Sequence, residues 1–245
     1  MTIKIVLVEP TVPGNIGSVA RVMKNFGFKD LVLINPQTEI SGDTYRFAVR
    51  AQDILDNMST YDSLEDFIKT IPYVVGTTAK IIKDQGSTNA RVAMSSDDPS
   101  LINLLQFKDD VAILFGREDS GLTNKEIQQC DMTVHIPTSE EYKALNLAQA
   151  VTIILYSLHI KKEEEVMPTN YRSATREEKE SLVEWFEKSI SVLNFRKRKE
   201  EILVRRFRNI IGRAFVSGRE AVSLVGVFSK TYKQIKQYEE LKNKK

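Results

Sequence analysis

The chain has 245 residues, 42% of them hydrophobic, enough to bury one sizeable α/β core with a smaller appendage in one or two domains. Its one cysteine, Cys130, excludes a disulfide framework and a CxxC metal site and fits a reducing compartment. No apolar run reaches the ~20 residues of a membrane span, and the start MTIKIVLVEP lacks the basic region and small-residue cleavage site of a signal peptide, so no membrane contact and a cytoplasmic location are expected. The formal net charge of +2 divides unevenly: residues 171 to 245 carry 19 Lys+Arg against 10 Asp+Glu, and residues 1 to 170 carry 16 against 23. A basic C-terminal part of this kind either meets a polyanion or presents a solvated helix face.

In chain order, Ile3 to Val8 reads as a buried strand, ended by Glu9, Pro10 and Pro13-Gly14 before a helix from about Asn15 to Phe26 that Gly27 stops. Asn15 is the expected N-cap. Gly17 and Arg21, four residues apart, share a helix face expected to look up at the strand end. Leu31 to Ile34 gives a second strand, and Tyr45 to Met58 carries Phe47, Ala48, Ala51, Ile54, Leu55 and Met58 at helical spacing. Ser63 with Asp66 opens a short helix to Thr70, and Tyr73 to Thr78 is a strand that ends in the small residues GTTAK. Lys80 to Pro99 is polar and patternless, which suits a lid or RNA-contacting loop carrying Lys80, Lys83 and Arg91, or plain disorder.

Val111 to Phe115 is an apolar strand stopped by Gly116, and Met132 to Ile136 is another stopped by Pro137, so the loops that follow them line one edge. Between them Thr123 and Glu126 have capping-box spacing and start a short helix over Asn124 to Gln129. In GREDSGL, Gly116 and Gly121 permit positive φ and close backbone approach to a ligand, while Arg117, Glu118 and Asp119 bring charge to the strand end. Read alone, such a loop is as well explained by a tight turn with solvated charges. Leu145 to Lys162 is a long apolar helix with Asn146 at its mouth. His135 and His159 stand far apart within apolar runs, which argues against metal ligation or a general-base role, and no metal site is expected.

The segment MPTNYRSAT reads as a linker, giving a first domain over 1–165, a linker over 166–175 and a helical domain over 176–245. Thr175 and Glu178 form another capping box, opening a helix through Trp185, Phe186, Ile190 and Leu193. A second helix from about Lys197 is strongly basic, with Arg196, Lys197, Arg198, Lys199, Arg205, Arg206, Arg208 and Arg213 on it or just before it. A third, from about Arg219, is expected to fray into the polar tail.

Three stretches, Asn15-x-Gly17-x-x-x-Arg21, FGREDSGL and IP…YKALNLAQAV, resemble in order and spacing the three motifs of the SPOUT-class RNA methyltransferases. A GxGxxG fingerprint and a GxxxxGK[ST] phosphate loop are both absent. The appended helices resemble those of the TrmJ-type subgroup of tRNA 2′-O-ribose methyltransferases. The resemblance implies an α/β fold, a parallel sheet with a C-terminal trefoil knot, plus a small all-α C-terminal domain. It also implies a homodimer and an S-adenosylmethionine pocket at the dimer interface. Periodicity alone predicts an unknotted doubly wound sheet.

Matched position by position, the resemblance implies cofactor contacts at Thr77, Thr78, Ala79, Gly116, Ile136, Lys143, Ala144 and Leu145, mostly through backbone groups. Asn15, Gly17, Glu118, Gly121 and Asn146 support the site. RNA contacts fall on Lys80, Lys83, Arg91, Arg196, Lys197, Arg198, Arg205 and Arg206. Two departures stand out: relatives have a serine where this chain has Ala144, and an arginine of some relatives aligns with Ile82. Arg21 is implied as the catalytic residue, yet a guanidinium with pKa above ~12 is a poor proton acceptor. An electrostatic role on phosphate and developing alkoxide suits it better, with Glu118 orienting Arg21 or holding the loop.

The expected activity is therefore tRNA 2′-O-ribose methylation, at nucleotide 32 of the anticodon loop on cytidine or uridine, with tRNA and a second copy of the chain as partners and no obligatory protein partner evident. The alternatives are the same chemistry on rRNA, a non-catalytic RNA-binding protein that keeps the fold, and an unrelated nucleotide-binding α/β protein.

Overall fold

Seven short strands form one wholly parallel sheet, and their apolar runs explain why it is buried on both faces. β1 (Ile3–Val8) lies inside it, pairing with β2 (Asp30–Ile34) on one side and with the central strand β6 (Val111–Phe115) on the other. β3 (Ser59–Tyr61) extends the β2 edge, while β4 (Tyr73–Thr77), β7 (Met132–His135) and β5 (Met94–Ser95) continue beyond β6, giving the order β3-β2-β1-β6-β4-β7-β5. The computed structural model describes residues 2–79, 93–106, 109–163, 172–214 and 216–243.

Side chains alternate across the sheet with period two. Val6, Val8, Val32, Ile34, Val74, Ala112 and Leu114 share one buried cluster with Leu64, Phe67 and Ile68 of α4 (Leu64–Lys69). The intervening Ile5, Leu7, Leu31, Leu33, Val75, Ile113 and Phe115 are buried too, so they fill the other face. That face is left for α1 (Pro13–Asn25) and α6 (Leu147–Glu163), which pack on each other and bury Ile16, Val19, Ala20 and Met23 with Val151, Ile154, Leu155 and Leu158. Strands covered on both faces read as unbroken apolar runs, which is why IKIVLV and VAILF stand out in the sequence.

Several boundaries differ from the sequence reading for identifiable reasons. Helix α1 starts two residues early, at Pro13 with Val12 as N-cap, because proline suits the first helical turn; Asn15 is therefore inside the helix and not its cap. The helix expected over Tyr45 to Met58 is two helices, α2 (Gly42–Ala48) and α3 (Gln52–Asp56), separated where Val49 takes φ 55°. Ser41 and Thr44 close a capping box that begins α2 before its apolar pattern starts. The stretch Lys80 to Pro99, expected to be patternless, contributes β5, and the 3₁₀ helix Pro99–Gln106 begins at its end. Lys80, Lys83 and Arg91 lie outside the described residues.

The chain divides into two compact units, Met1–Thr169 and Asn170–Lys245. The second is built from α7 (Arg176–Ser191), α8 (Lys197–Arg213) and α9 (Gly218–Asn243). Its core joins Ala174, Leu182, Ile211 and Ala221 with Phe207, Val225 and Phe228, and the Phe186 ring stacks on Phe207 at 4.0 Å. Part of the expected linker belongs to this unit: Ser173 bridges Ser217, Ala174 is buried, and Arg172 donates to Glu178 at 2.6 Å. Helix α9 runs through most of the polar tail expected to fray, to Asn243. No helix among the described residues is long and apolar enough to cross a membrane.

Candidate active site

The parallel strands bring the carboxyl ends of β1, β6, β4 and β7 to one edge of the sheet. Chain order reverses there: β2 and β3 lie to one side of β1, β4 to the other, with β6 inserted between. Ligands of open α/β sheets bind at such switch points. The strand ends themselves are unusual. Glu9 and Asn35, directly after β1 and β2, take φ 49° and 44°, a left-handed conformation that few non-glycine residues adopt. Both are held by strand-to-strand bonds, Glu9 N–H to the Ile34 carbonyl and Asn35 N–H to the Tyr61 carbonyl, each 2.8 Å.

The loop after β6 is a compact knuckle over this edge. Gly121 takes φ 69° and its N–H donates to the Arg117 carbonyl at 2.9 Å. A Cβ on Gly116 would sit 2.1 Å from the Gly121 carbonyl carbon and 2.2 Å from the Leu122 nitrogen. The close approach that Gly116 permits is thus between two parts of the loop, in addition to any ligand. Half-buried Arg117 clamps the knuckle: its Nε donates to Glu9 at 2.8 Å and its two terminal nitrogens reach Glu126 at 3.1 and 3.0 Å. Glu126 also closes the capping box with Thr123 that starts α5 (Asn124–Gln128). The Glu126 bond and, against burial, the Glu9 bond raise the Arg117 guanidinium pKa further; burial disfavours the Glu126 carboxylate, but Arg117 and the Thr123 N–H outweigh it and hold its pKa low.

Glu118 ties the loop to α1. One of its carboxylate oxygens accepts from the Thr11 N–H (3.1 Å) and hydroxyl (2.9 Å), the other from the Val12 N–H (3.2 Å) and the Asn15 amide (3.0 Å). Burial disfavours the charge, yet the Asn15 amide and the Thr11 N–H and hydroxyl prevail and hold its pKa below the ordinary carboxylate value. The chain of contacts continues, because the Asn15 carbonyl oxygen accepts from the Asn146 amide at 3.0 Å, and Asn146 accepts in turn from the Ala148 N–H at 2.9 Å to cap α6. Asn146, Asn15 and Glu118 therefore join the three motif segments. No hydrogen bond or ion pair joins Glu118 to Arg21 among the described residues; its bonds hold the loop and the start of the helix that carries Arg21.

Gly17, expected on a helix face looking up at the strand end, packs instead against α2. A Cβ on Gly17 would lie 2.0 Å from the Thr44 carbonyl oxygen, so glycine is there for helix packing. One turn beyond Arg21, Lys24 bonds the Arg50 carbonyl at 2.8 Å and Asp53 at 2.7 Å. Arg21 itself is exposed, and no hydrogen bond or ion pair joins its side chain to a described residue. Its charge is uncommitted on a helix whose start is fastened to both loops.

The residues expected to hold the methyl donor lie along the same edge. Thr77 spends its hydroxyl on the Leu114 carbonyl (2.8 Å), the Thr78 N–H donates to the Val134 carbonyl (2.9 Å), and Ala79 is exposed. From Ile136 to Leu145 the chain has no helix or strand; Lys143 and Ala144 are exposed, Ile136 and Leu145 half-buried, and Lys143 pairs with Glu140 at 3.1 Å. Among the described residues, the N–H groups of Lys143, Ala144 and Leu145 donate to no partner. Unspent main-chain donors beside an apolar strand end fit an adenosyl ligand, whose flat base needs an apolar slot with backbone partners. No cluster of three or more His, Cys, Asp or Glu that could hold a metal occurs among the described residues.

Residues 2–156 match the SpoU rRNA Methylase family. The chain belongs to that family. Two curated SpoU-type relatives span nearly all of it. The tRNA (cytidine-2′-O-)-methyltransferase TrmJ of Methanocaldococcus jannaschii is 37% identical, over 92% of this chain and 98% of that one. The tRNA (cytidine/uridine/adenosine-2′-O-)-methyltransferase TrmJ of Pseudomonas aeruginosa is 33% identical, over 94% of each. Among solved structures, a probable methylase family protein of Haemophilus influenzae superposes with TM-score 0.64 at 28% identity, over 96% of this chain and 98% of that one. The SpoU methyltransferase AviRb of Streptomyces viridochromogenes, solved in complex with AdoMet, shares the fold at TM-score 0.53 and 24% identity, over 67% of this chain and 62% of that one.

The sequence reading passed over Glu9 and Asn35 as site residues. The signal was faint, a Glu-Pro and an Asn-Pro each closing an apolar strand.

Proposed function

We propose that this SpoU-family protein is an S-adenosylmethionine-dependent tRNA 2′-O-ribose methyltransferase, acting on cytidine or uridine at nucleotide 32 of the anticodon loop. The observation that carries the reading is the Asn146–Asn15–Glu118 chain, which fastens the helix bearing an unpaired Arg21 to the two loops at the switch point. The names of the full-length relatives support tRNA as substrate and ribose as target.

When bound, S-adenosylmethionine supplies an electrophilic methyl group on a sulfonium sulfur. The protein's own part is positioning and charge. Main-chain groups of Thr77 to Ala79 and of Lys143 to Leu145 hold the adenosyl moiety at the strand ends, and the knuckle over Gly116 keeps its shape through Arg117. Arg21 holds the phosphate of the target nucleotide and stabilises negative charge as it develops on the attacking 2′ oxygen. The ribose proton leaves to phosphate or water, since Arg21 cannot accept it.

A homodimer and the trefoil knot belong to the same proposal. Tyr156 and Ile160 support the dimer: they are 53% and 43% exposed on α6, and the ring of Phe26, which caps α1, lies 6.1 Å from that of Tyr156. A cytoplasmic setting and an RNA-docking role for the basic helical unit complete it.

The test is Arg21→Ala. Methyl transfer to tRNA falls by at least a hundredfold while affinity for S-adenosylmethionine stays within twofold of wild type. Loss of cofactor affinity with turnover retained would contradict the assignment.

A further inference from the structure

Helices α7 and α8 meet at a tight corner whose chemistry differs from the rest of the helical unit. Helix α7 ends at Ser191 with Val192 as its C-cap, Asn194 takes φ 54°, and α8 begins after Arg196. The turn leaves Leu193 48% exposed and Phe195 half-exposed, outside the aromatic core of Phe186, Phe207 and Phe228. Lys199 is placed over the ring, its Nζ 4.7 Å from the centroid. Arg196, Lys197, Arg198 and Lys199 are all exposed, and none has a carboxylate partner among the described residues. Glu200 and Glu201 follow directly, so the six residues 196–201 keep a net charge of +2.

The neighbouring helix shows the contrast. On α7, exposed Glu177, Glu180, Glu184 and Glu187 recur at spacings of three, four and three, one acidic stripe. Its cations are neutralised locally, Arg176 by Glu180 at 3.1 Å and Lys188 by Glu184 at 2.6 Å. A polyanion is repelled from that stripe and drawn to the corner, where four exposed cations follow directly on a half-exposed aromatic residue in sequence.

We propose that the corner Leu193–Lys199 is a docking point for an unpaired nucleotide of the RNA, with the base stacked on Phe195 and its flanking phosphates on Arg196, Lys197 and Arg198. This rests on the reading of the protein as an RNA enzyme and adds a preference to it. Cations alone bind any phosphate backbone, paired or not. A ring among cations favours bases that are free to leave their own stack, as in the single-stranded loops that proteins recognise in RNA. Lys199, already over the ring, would slide aside or cap the stacked base.

Two labelled probes with equal numbers of phosphates, a single-stranded RNA oligomer and a paired RNA duplex, are titrated into the full-length protein by fluorescence anisotropy. Phe195→Ala is expected to weaken the single strand about tenfold, the scale of one base–aromatic stack, and to leave the duplex unchanged. Phe195→Tyr restores binding, whereas Phe195→Leu, which keeps bulk without a π face, does not. The triple variant R196A/K197A/R198A weakens both probes and lowers the slope of log affinity against log salt by about 2 for the single strand. Equal losses on the two probes with Phe195→Ala, no loss on either, or full rescue by leucine would each overturn the proposal. Methyl transfer to tRNA, measured on the same wild-type preparation, separates this outcome from the enzymatic reading. Single-strand selectivity that depends on Phe195 stands even if no RNA is methylated, and its absence refutes the corner even in an active enzyme.

Discussion

Replacing Glu118 by glutamine keeps the shape of the side chain and removes half of what it does. Both carboxylate oxygens face donors: Thr11 twice at one, Val12 and Asn15 at the other. An amide has one accepting oxygen, so two of the four bonds survive and the remaining two donors confront an NH₂ group. Hydrogen bonds to a charged group are each worth roughly 1.5–3 kcal/mol net, and water can replace part of this at the exposed Thr11 and Val12. A local loss of about 2 kcal/mol follows, which corresponds to exchange of the Thr11 and Val12 amide hydrogens about thirtyfold faster at neutral pH. Mass-detected hydrogen exchange over residues 9–16 is the suitable assay, since the single tryptophan lies in the helical unit and is blind to this event. The pH dependence has a definite sign. The Glu118 pKa is lowered below its ordinary 4.5 on folding, so its contribution is complete above about pH 5 and is lost as pH falls through the depressed value. Wild type and Glu118→Gln should therefore differ most above pH 5 and converge as pH falls through the depressed value. Equal protection at neutral pH, or a difference that does not shrink as pH is lowered from 5, would refute the reasoning.

Gly17→Ala places a methyl group 2.0 Å from the Thr44 carbonyl oxygen, and backbone cannot yield as a side chain can; a loss on the order of 3 kcal/mol in urea unfolding followed by far-UV circular dichroism is expected. A fragment ending at Thr169 keeps cofactor binding by calorimetry and loses most of its tRNA affinity, because residues 171 to 245 carry 19 Lys+Arg against 10 Asp+Glu while the remainder is acidic. Light scattering at micromolar concentration should give the mass of a dimer for the whole chain.

Much of the fold was legible because strands buried on both faces and capping boxes are local signals. IKIVLV, DLVLI and VAILF declare themselves, and Thr175 with Glu178 or Thr123 with Glu126 mark helix starts from two residues alone. What escaped depended on tertiary contact. The three-residue β3 has no pattern of its own and exists because β2 offers it an edge. Val49 breaks an apolar periodicity that would support one long helix, so the break was invisible in the pattern. In the site, the motif spacing singled out Asn15, Glu118 and Asn146, yet their mutual bonds span 103 and 131 residues and no spacing rule predicts them. Gly17 was matched to a motif and proved to be a packing residue, since spacing reports which face a residue occupies and not what meets it.

The central claim is methylation of a tRNA ribose. Incubating the full-length protein with methyl-labelled S-adenosylmethionine and, separately, tRNA and rRNA, followed by digestion to nucleosides, tests it most directly. Label in 2′-O-methylcytidine or 2′-O-methyluridine from the tRNA, mapping to nucleotide 32, is the predicted result; label confined to rRNA, or carried on a base, would contradict it.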